Sequence, residues 1–433
     1  MSKKSKTLPQ KKINSVLKEV LKKVEPSKED IELIENSLKD FLERFKKKLK
    51  SLKIDAEVFV GGSFAKNTVI KKDNYDVDIF VRFDKKYADK EISNLLSKAL
   101  RGFRNISKVH GSRDYFKLKI GPTFFIELIP VKKIKTLKEA ENITDLSYSH
   151  VKYINKKVKS RKVLDGIRIA KAFCYANKCY GAESYIQGFS GYALELLVYH
   201  YGSFTRFANA VTKMTDKVVI DIEKQFKSKQ IALMDINTAK LDSPIVLIDP
   251  TYKHRNALAA LSDETFEKFQ LACKKFLRSP SIKDFEIEKI DLEKIKEDAR
   301  KKKYEFILIE SKTDKQAGDI AGSKLLKFYR HLNYEIEDFF HIKNKGFNYN
   351  GKKAARYFFV VKDKGEIIRA GPYLKDKKHV EKFKKKHKRT FSKKGRIHTR
   401  KKITFTLKDF VNTWKTNNRK KIREMNISGL KLL

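Results

Sequence analysis

The stretch Gly61 to Phe83, GGSFAKNTVIKKDNYDVDIFVRF, constrains this chain more than any other. The run Val77 to Phe83 is rich in β-branched and aromatic residues, which predicts a strand. Side chains alternate along a strand, so Asp76 and Asp78 share a face. Two carboxylates about 7 Å apart on one strand repel each other unless cations lie between them. Hard divalent cations suit such oxygen ligands. Upstream, Gly61-Gly62-Ser63 follows the apolar run Ala56 to Val60. Glycines let backbone N–H groups approach an anion, and Ser63 adds a hydroxyl. Taken singly, a D-x-D pair is usually two solvated acids and a Gly-Gly-Ser is usually a turn. In this order, about a dozen residues apart, they read as a phosphate cradle ahead of a metal-binding carboxylate pair.

Charge narrows the partner. The chain of 433 residues carries 99 Lys+Arg against 53 Asp+Glu, a formal net charge of +46. That excess calls for a polyanion, with nucleic acid the leading class. An anionic membrane surface is the weaker choice, because no apolar run reaches the roughly 18 residues of a membrane span. The opening MSKKSKTLPQKK lacks an apolar segment, so no signal peptide is expected. Cys174, Cys179 and Cys273 are too few for a disulfide framework and lack zinc-site spacing. They read as buried thiols of a reducing cytoplasm. The length allows two to four domains.

Along the chain, residues 10–24 predict a helix ended at Pro26, and Ser27 to Asp30 resembles a capping box. Ile31, Ile34, Leu38, Phe41, Leu42, Phe45, Leu49 and Leu52 recur at helical spacing. Glu91 to Leu100 predicts another helix. Tyr115 to Ile120 and Phe124 to Val131 predict two strands around Gly121-Pro122. The second carries Glu127, which is either an edge-strand acid facing water or, since a carboxylate in an apolar strand is costly to bury, one that binds something. Residues 147–210 are mostly helical in pattern, with Cys179 to Glu183 and the glycine-interrupted Gly188 to Tyr192 inside them. In 245–260, a strand ends at Asp249-Pro250, and Arg255 and Asn256 are expected to start a helix. Beyond 282 strands and helices alternate. Phe358 and Phe359 there fit either an RNA-stacking platform or a core. Residues 371–433 hold 22 Lys+Arg against 4 Asp+Glu. The apolar stripe Leu407, Phe410, Val411 and Trp414 favours a folded basic module that contacts phosphates over a disordered tail.

These pieces together resemble the archaeal, class I CCA-adding enzymes, tRNA nucleotidyltransferases of the DNA polymerase β-like superfamily. The resemblance is carried by GGSFAKNT, DVDIFVRF, FFIELIPV, YSHVKYI, CYGAE, GFSGYALELLVYHYGSF and DPTYKHRNALAA, and later by Gly371-Pro372 with His379-Val380-Glu381-Lys382-Phe383. It implies that Asp76, Asp78 and Glu127 are catalytic carboxylates holding two Mg²⁺ ions. Relatives more often have Glu-x-Asp in the first pair and Asp in the third position, so Glu127 adds a methylene. It implies that Ser63 binds the triphosphate, with Lys66 where relatives have Arg or Lys. His150, Lys171 and Tyr180 match nucleotide-contacting positions, and Arg255 matches the arginine that helps read the incoming base.

The expected architecture is α+β and multidomain. A mixed-sheet nucleotidyltransferase head with N-terminal helices covers 1–145, and a helical nucleotide-reading neck covers 146–281. A smaller α+β body covers 282–372, and a basic RNA-binding tail covers 373–433. The expected activity is template-independent addition and repair of the 3′-terminal CCA of tRNA from CTP and ATP, with release of pyrophosphate, by a cytoplasmic enzyme that relatives suggest is a homodimer. Two other readings compete. One is a poly(A)-type polymerase of the same superfamily; the other is a catalytically silent RNA-binding relative.

Overall fold

The computed structural model describes residues 7–71, 74–111, 113–121, 124–134, 136, 139–288, 290–387 and 389–433. Pro122 of the expected turn and Lys388 of the densest basic run lie outside them. The chain forms two compact units, 1–288 and 289–433.

The first unit opens with helices α1 (Thr7–Val24) and α2 (Lys28–Ser51). Ser27 caps α2 by accepting a hydrogen bond from the Asp30 amide at 3.0 Å, one half of the expected capping box, while the Asp30 carboxylate accepts from Tyr75 Oη at 3.0 Å. Then come β1 (Ala56–Val60), the short helix α3 (Gly62–Ala65), β2 (Tyr75–Phe83), α4 (Asp89–Ala99), β3 (Ile106–Val109), β4 (Tyr115–Lys119) and β5 (Phe124–Lys132). The five strands form one mixed sheet in the order β1-β2-β5-β4-β3. Only the β2–β5 pair is parallel. Ile34, Leu38, Phe41, Phe45 and Leu49 of α2 bury their stripe against Val77, Ile79 and Val81 of β2 and against Ile126 and Leu128 of β5. That burial fixes the register, because a one-residue slip would turn these apolar side chains to solvent and Asp76 and Asp78 into the core.

The same unit continues through α5 (Ser147–Lys157), α6 (Arg161–Ala176), α7 (Gly191–Tyr201), α8 (Phe204–Val211), β6 (Val218–Asp221), α9 (Lys229–Asp235), β7 (Ile245–Asp249), β8 (Tyr252–Asn256) and α10 (Asp263–Arg278). A second core gathers Phe173, Phe189, Leu194, Phe207, Phe269 and Phe276 with all three cysteines, which are free and buried. Ser190 caps α7 through the Ala193 amide, so the glycine-interrupted motif is a turn and helix start, as expected.

One expectation fails here. Arg255 and Asn256 do not start a helix; they end strand β8, which returns antiparallel to β7. The Asp249 carboxylate accepts from both the amide and the hydroxyl of Thr251, at 2.8 Å each, and closes a tight turn. The Asn256 side chain accepts from the Leu247 and Leu258 amides, tying the hairpin to β7.

The second unit contains α11 (Leu292–Lys301), β9 (Glu305–Lys312), α12 (Asp319–Glu337), β10 (Phe340–Tyr349), β11 (Ala354–Asp363), β12 (Glu366–Tyr373), α13 (Lys377–Lys386), β13 (Thr390–Lys393), β14 (Arg396–Lys402), α14 (Leu407–Asn417), α15 (Arg419–Glu424) and β15 (Gly429–Leu432). An antiparallel sheet runs β10-β11-β9-β15, and a smaller one runs β12-β14-β13. Residues 373–433 do not hang apart from 290–372. Their last strand pairs with β9, and Leu407, Val411 and Trp414 share one core with Phe328, Leu332 and Phe359. Phe358 is buried on the opposite face of the sheet, beside Ala299 of α11. Both phenylalanines are therefore packing residues. No described helix is long and apolar enough to cross a membrane.

Candidate active site

The alternation of β2 builds the site's floor. Val77 and Ile79 point into the core, and Asp76 and Asp78 point away from it. Asp78 is the register partner of Glu127 on β5, so these two acids lie side by side on that face. β5 is an interior strand, which rules out Glu127 as a solvent-facing edge acid. Lys117 on β4 is in turn the register partner of Glu127. Its Nζ lies 2.7 Å from Asp76 Oδ1 and 3.1 Å from Glu127 Oε1. Burial, then repulsion from Glu127, pushes the Asp78 carboxyl up to about 7. Among the described residues, no three His, Cys, Asp or Glu side chains are drawn together as a ready-made metal cage. The three acids share a face, with an ammonium between two of them.

The glycine loop is pinned above this floor. The Gly61 amide donates to the Asp78 carbonyl at 2.8 Å. Gly62 has φ +61°, and a Cβ there would stand 1.8 Å from Asp78 Oδ2. Only a residue without a side chain lets the loop lie this close to the carboxylate. Ser63 follows, and its carbonyl accepts from the Thr68 amide at 2.9 Å.

The opposite wall comes from α6 and α7. Glu195 of α7 is fully buried. It accepts from Lys66 Nζ at 2.6 Å, Lys171 Nζ at 3.0 Å and Thr68 Oγ1 at 2.8 Å. Burial alone would raise its carboxyl; the two lysines outweigh that and pull it down to about 2. Lys171 also donates to the Thr68 carbonyl at 3.0 Å. One carboxylate thus holds two buried cations in place. Between wall and floor lies a cavity of about 270 Å³, lined among others by Ser63, Lys66, Asp76, Asp78, Lys171 and Tyr180. The Tyr180 ring stacks on Tyr175 at 4.0 Å.

His150 and Arg255 belong to an adjoining network. Asp249, fully buried, accepts from His150 Nε2 at 3.0 Å, Tyr192 Oη at 3.0 Å and Arg255 Nη1 at 2.6 Å. Burial lowers the His150 ring's proton affinity, only partly offset by Asp249. Arg255 keeps a buried Nε with no hydrogen-bond partner. It borders a second cavity of about 430 Å³, beside Asn142, Ala182 and Tyr252. Lys66 Nζ and the Arg255 guanidinium carbon each lie 5.8 Å from the centre of the Tyr192 ring.

The structure therefore brings Ser63, Lys66, Asp76, Asp78, Lys171 and Tyr180 to one cavity, with Glu127 beside Asp78. It places His150 and Arg255 together on Asp249, away from the lining of that cavity. Sequence reasoning missed Glu195, Asp249 and Lys117 as members of the site. The signal that flagged Glu127, a charge inside an apolar run, was present for Glu195 in ALELLV and for Asp249 in IVLIDP.

A mixed sheet bearing three acids under a Gly-Ser loop, with a helical wall of cations, defines a polymerase β-like nucleotidyltransferase. Two family models agree: a nucleotidyltransferase domain matches residues 39–163, and the second domain of tRNA nucleotidyltransferases matches residues 165–286. The chain is 30% identical over 394 residues to the CCA-adding enzyme of Methanocaldococcus jannaschii, covering 88% of this chain and 85% of that one. It therefore belongs to the CCA-adding enzyme family. The Nanoarchaeum equitans CCA-adding enzyme is 39% identical over 247 residues, and the Sulfurisphaera tokodaii one is 31% identical over 273. Those two alignments span 59% and 61% of the relatives and 56% and 63% of this chain. Among solved structures, a cytoplasmic RNA terminal U-transferase superposes with a TM-score of 0.50 at 14% identity, covering 65% of this chain and all of that one. That likeness is one of fold alone.

Proposed function

We propose that this protein adds C, C and A to the 3′ end of tRNA, without a template, using CTP and ATP and releasing pyrophosphate. The observation that carries this reading is the single cavity in which the carboxylates Asp76 and Asp78 face Ser63 and two tethered lysines. In the proposed division of labour, residues 1–145 supply the catalytic face and 146–281 the nucleotide-reading wall. The body, 282–372, and the basic stretch 373–433 hold tRNA through its phosphates and A-form shape.

The carboxylate oxygens of Asp76, Asp78 and Glu127, set on one face of the sheet, suit a hard divalent ion. Asp76, Asp78 and Glu127 would hold two Mg²⁺ ions, which supply charge neutralisation at the attacked phosphate and an activated 3′-oxygen. The remaining work falls to side chains of the chain itself. Lys66, Lys171 and the Ser63 hydroxyl bind the triphosphate and keep its leaving end oriented. Tyr180 packs beside the nucleotide and excludes water. Arg255, held by Asp249, borders the adjoining cavity and is the residue proposed to help read the incoming base there.

Asp78→Ala tests the reading. Incorporation of radiolabelled nucleotide into tRNA lacking CCA falls to background, and tRNA binding by filter retention stays within about twofold, since Asp78 contributes no phosphate contact. Normal turnover by the variant would refute the assignment.

A further inference from the structure

The sheet sets a lysine into the row of acids. Lys117 is opposite Glu127 across β4–β5, and Glu127 is opposite Asp78 across β2–β5. Register partners on neighbouring strands share a face, so backbone pairing fixes Lys117 in this row. The Lys117 ammonium lies 2.7 Å from Asp76 and 3.1 Å from Glu127, on strands that flank β5 and on β5 itself. The Phe125 ring, 4.6 Å from the ammonium, confines it further. The lysine side chain is 30% exposed and the Asp76 side chain 41% exposed, so both pairs open to solvent on one side.

We propose that Lys117 is a positioning residue for the metal carboxylates: its ammonium holds Asp76 and Glu127 in line while no metal is bound, and a divalent ion must displace it to enter. This rests on the reading of Asp76, Asp78 and Glu127 as metal ligands. Three carboxylates crowded on one face need a cation to stay in position. A hydrated ammonium serves for order but cannot take the several short oxygen contacts of a divalent ion. The two ion pairs it makes are partly exposed and individually weak, so the ion can break them. Breaking both still lowers the affinity for free metal by about tenfold. Metal therefore binds weakly to the nucleotide-free enzyme and firmly only when a triphosphate brings further oxygens.

The test titrates Mn²⁺ alone against the full-length protein without nucleotide, reading free Mn²⁺ by electron paramagnetic resonance. Wild type, Lys117→Met, Lys117→Arg and the double variant Lys117→Met/Asp78→Asn are compared. The proposal expects Lys117→Met to bind Mn²⁺ about tenfold more tightly than wild type and Lys117→Arg to bind like wild type. Thermal melts give a second readout: Lys117→Met melts below wild type in EDTA and regains the difference in Mn²⁺, which a purely structural lysine would not allow. Equal or weaker Mn²⁺ binding by Lys117→Met, abolished by Asp78→Asn, would overturn the role of Lys117 while leaving the metal site standing. Mn²⁺ binding that ignores Asp78→Asn would instead overturn the carboxylates as a metal site, and the role of Lys117 with them.

Discussion

Replacing Glu195 by Gln is the most informative single change in the wall of the cavity. The amide keeps the shape and removes the charge. Glu195 has no exposed surface, and Lys66 and Lys171 are 8% and 2% exposed. Their ammoniums lie 2.6 and 3.0 Å from its carboxylate oxygens. Losing the anion leaves two buried cations facing each other, and breaking a buried pair costs about 3–5 kcal/mol. Lys66 lines the cavity and can gain water, so the loss lies within that range rather than at twice it. For a unit of this size it lowers the melting temperature by roughly 10 °C. The triphosphate of CTP carries the charge that the variant lacks. Added CTP with Mg²⁺ therefore raises the melting temperature of Glu195→Gln by more than it raises that of wild type. Turnover falls, because the lysines are no longer held in register. Differential scanning fluorimetry of the full chain, with and without CTP, reads both shifts. A melting temperature within about 1 °C of wild type, or an equal CTP shift in both proteins, would refute the role given to Glu195.

Two further outcomes follow from the same geometry. Gly62→Ala places a methyl 1.8 Å from Asp78 Oδ2 at a φ of +61°; the backbone strain is only about 1–2 kcal/mol, so the protein stays folded by circular dichroism while nucleotide incorporation falls by a hundredfold or more, roughly what a 1 Å misplacement of reacting groups costs. The Glu195 carboxyl is depressed from 4.5 to about 2 in the folded chain, so its stabilisation is complete above the unfolded value and is lost as pH falls through the folded one. Urea midpoints should decline between about pH 5 and pH 2 by an amount worth about 3 kcal/mol from this group, and that part of the decline should vanish in Glu195→Gln.

The catalytic floor was legible because it depends on a local rule. Alternation along β2 places Asp76 and Asp78 together whatever the rest of the chain does, and the apolar flanks of Glu127 mark it in the same way. What escaped depends on distant partners. Glu195 reads as one acid in an apolar helix until α7 is laid against the loop carrying Lys66 and Thr68, 129 and 127 residues away. Lys117 reads as an ordinary strand lysine until register sets it beside Glu127. The β8 hairpin reads as a helix start because TYKHRNALAA carries no alternation strong enough to override its helix formers. The turn is closed instead by Asp249, whose carboxylate is claimed by Thr251, Arg255, His150 and Tyr192 at once. The last strand, GLKL, is too short to announce pairing with β9 more than a hundred residues earlier. The stripe Leu407, Val411 and Trp414 is legible from its helical spacing, but not that it packs with Phe328, Leu332 and Phe359, which lie far away in the chain.

The nucleotides that the enzyme accepts define its reaction. A tRNA transcript ending at the discriminator base is incubated with the full-length protein, Mg²⁺ and either CTP alone, ATP alone or both, and product lengths are read on a sequencing gel. CTP alone should give two added residues, and both nucleotides together three. Long adenylate tails from ATP alone, or no extension under any condition, would contradict CCA addition.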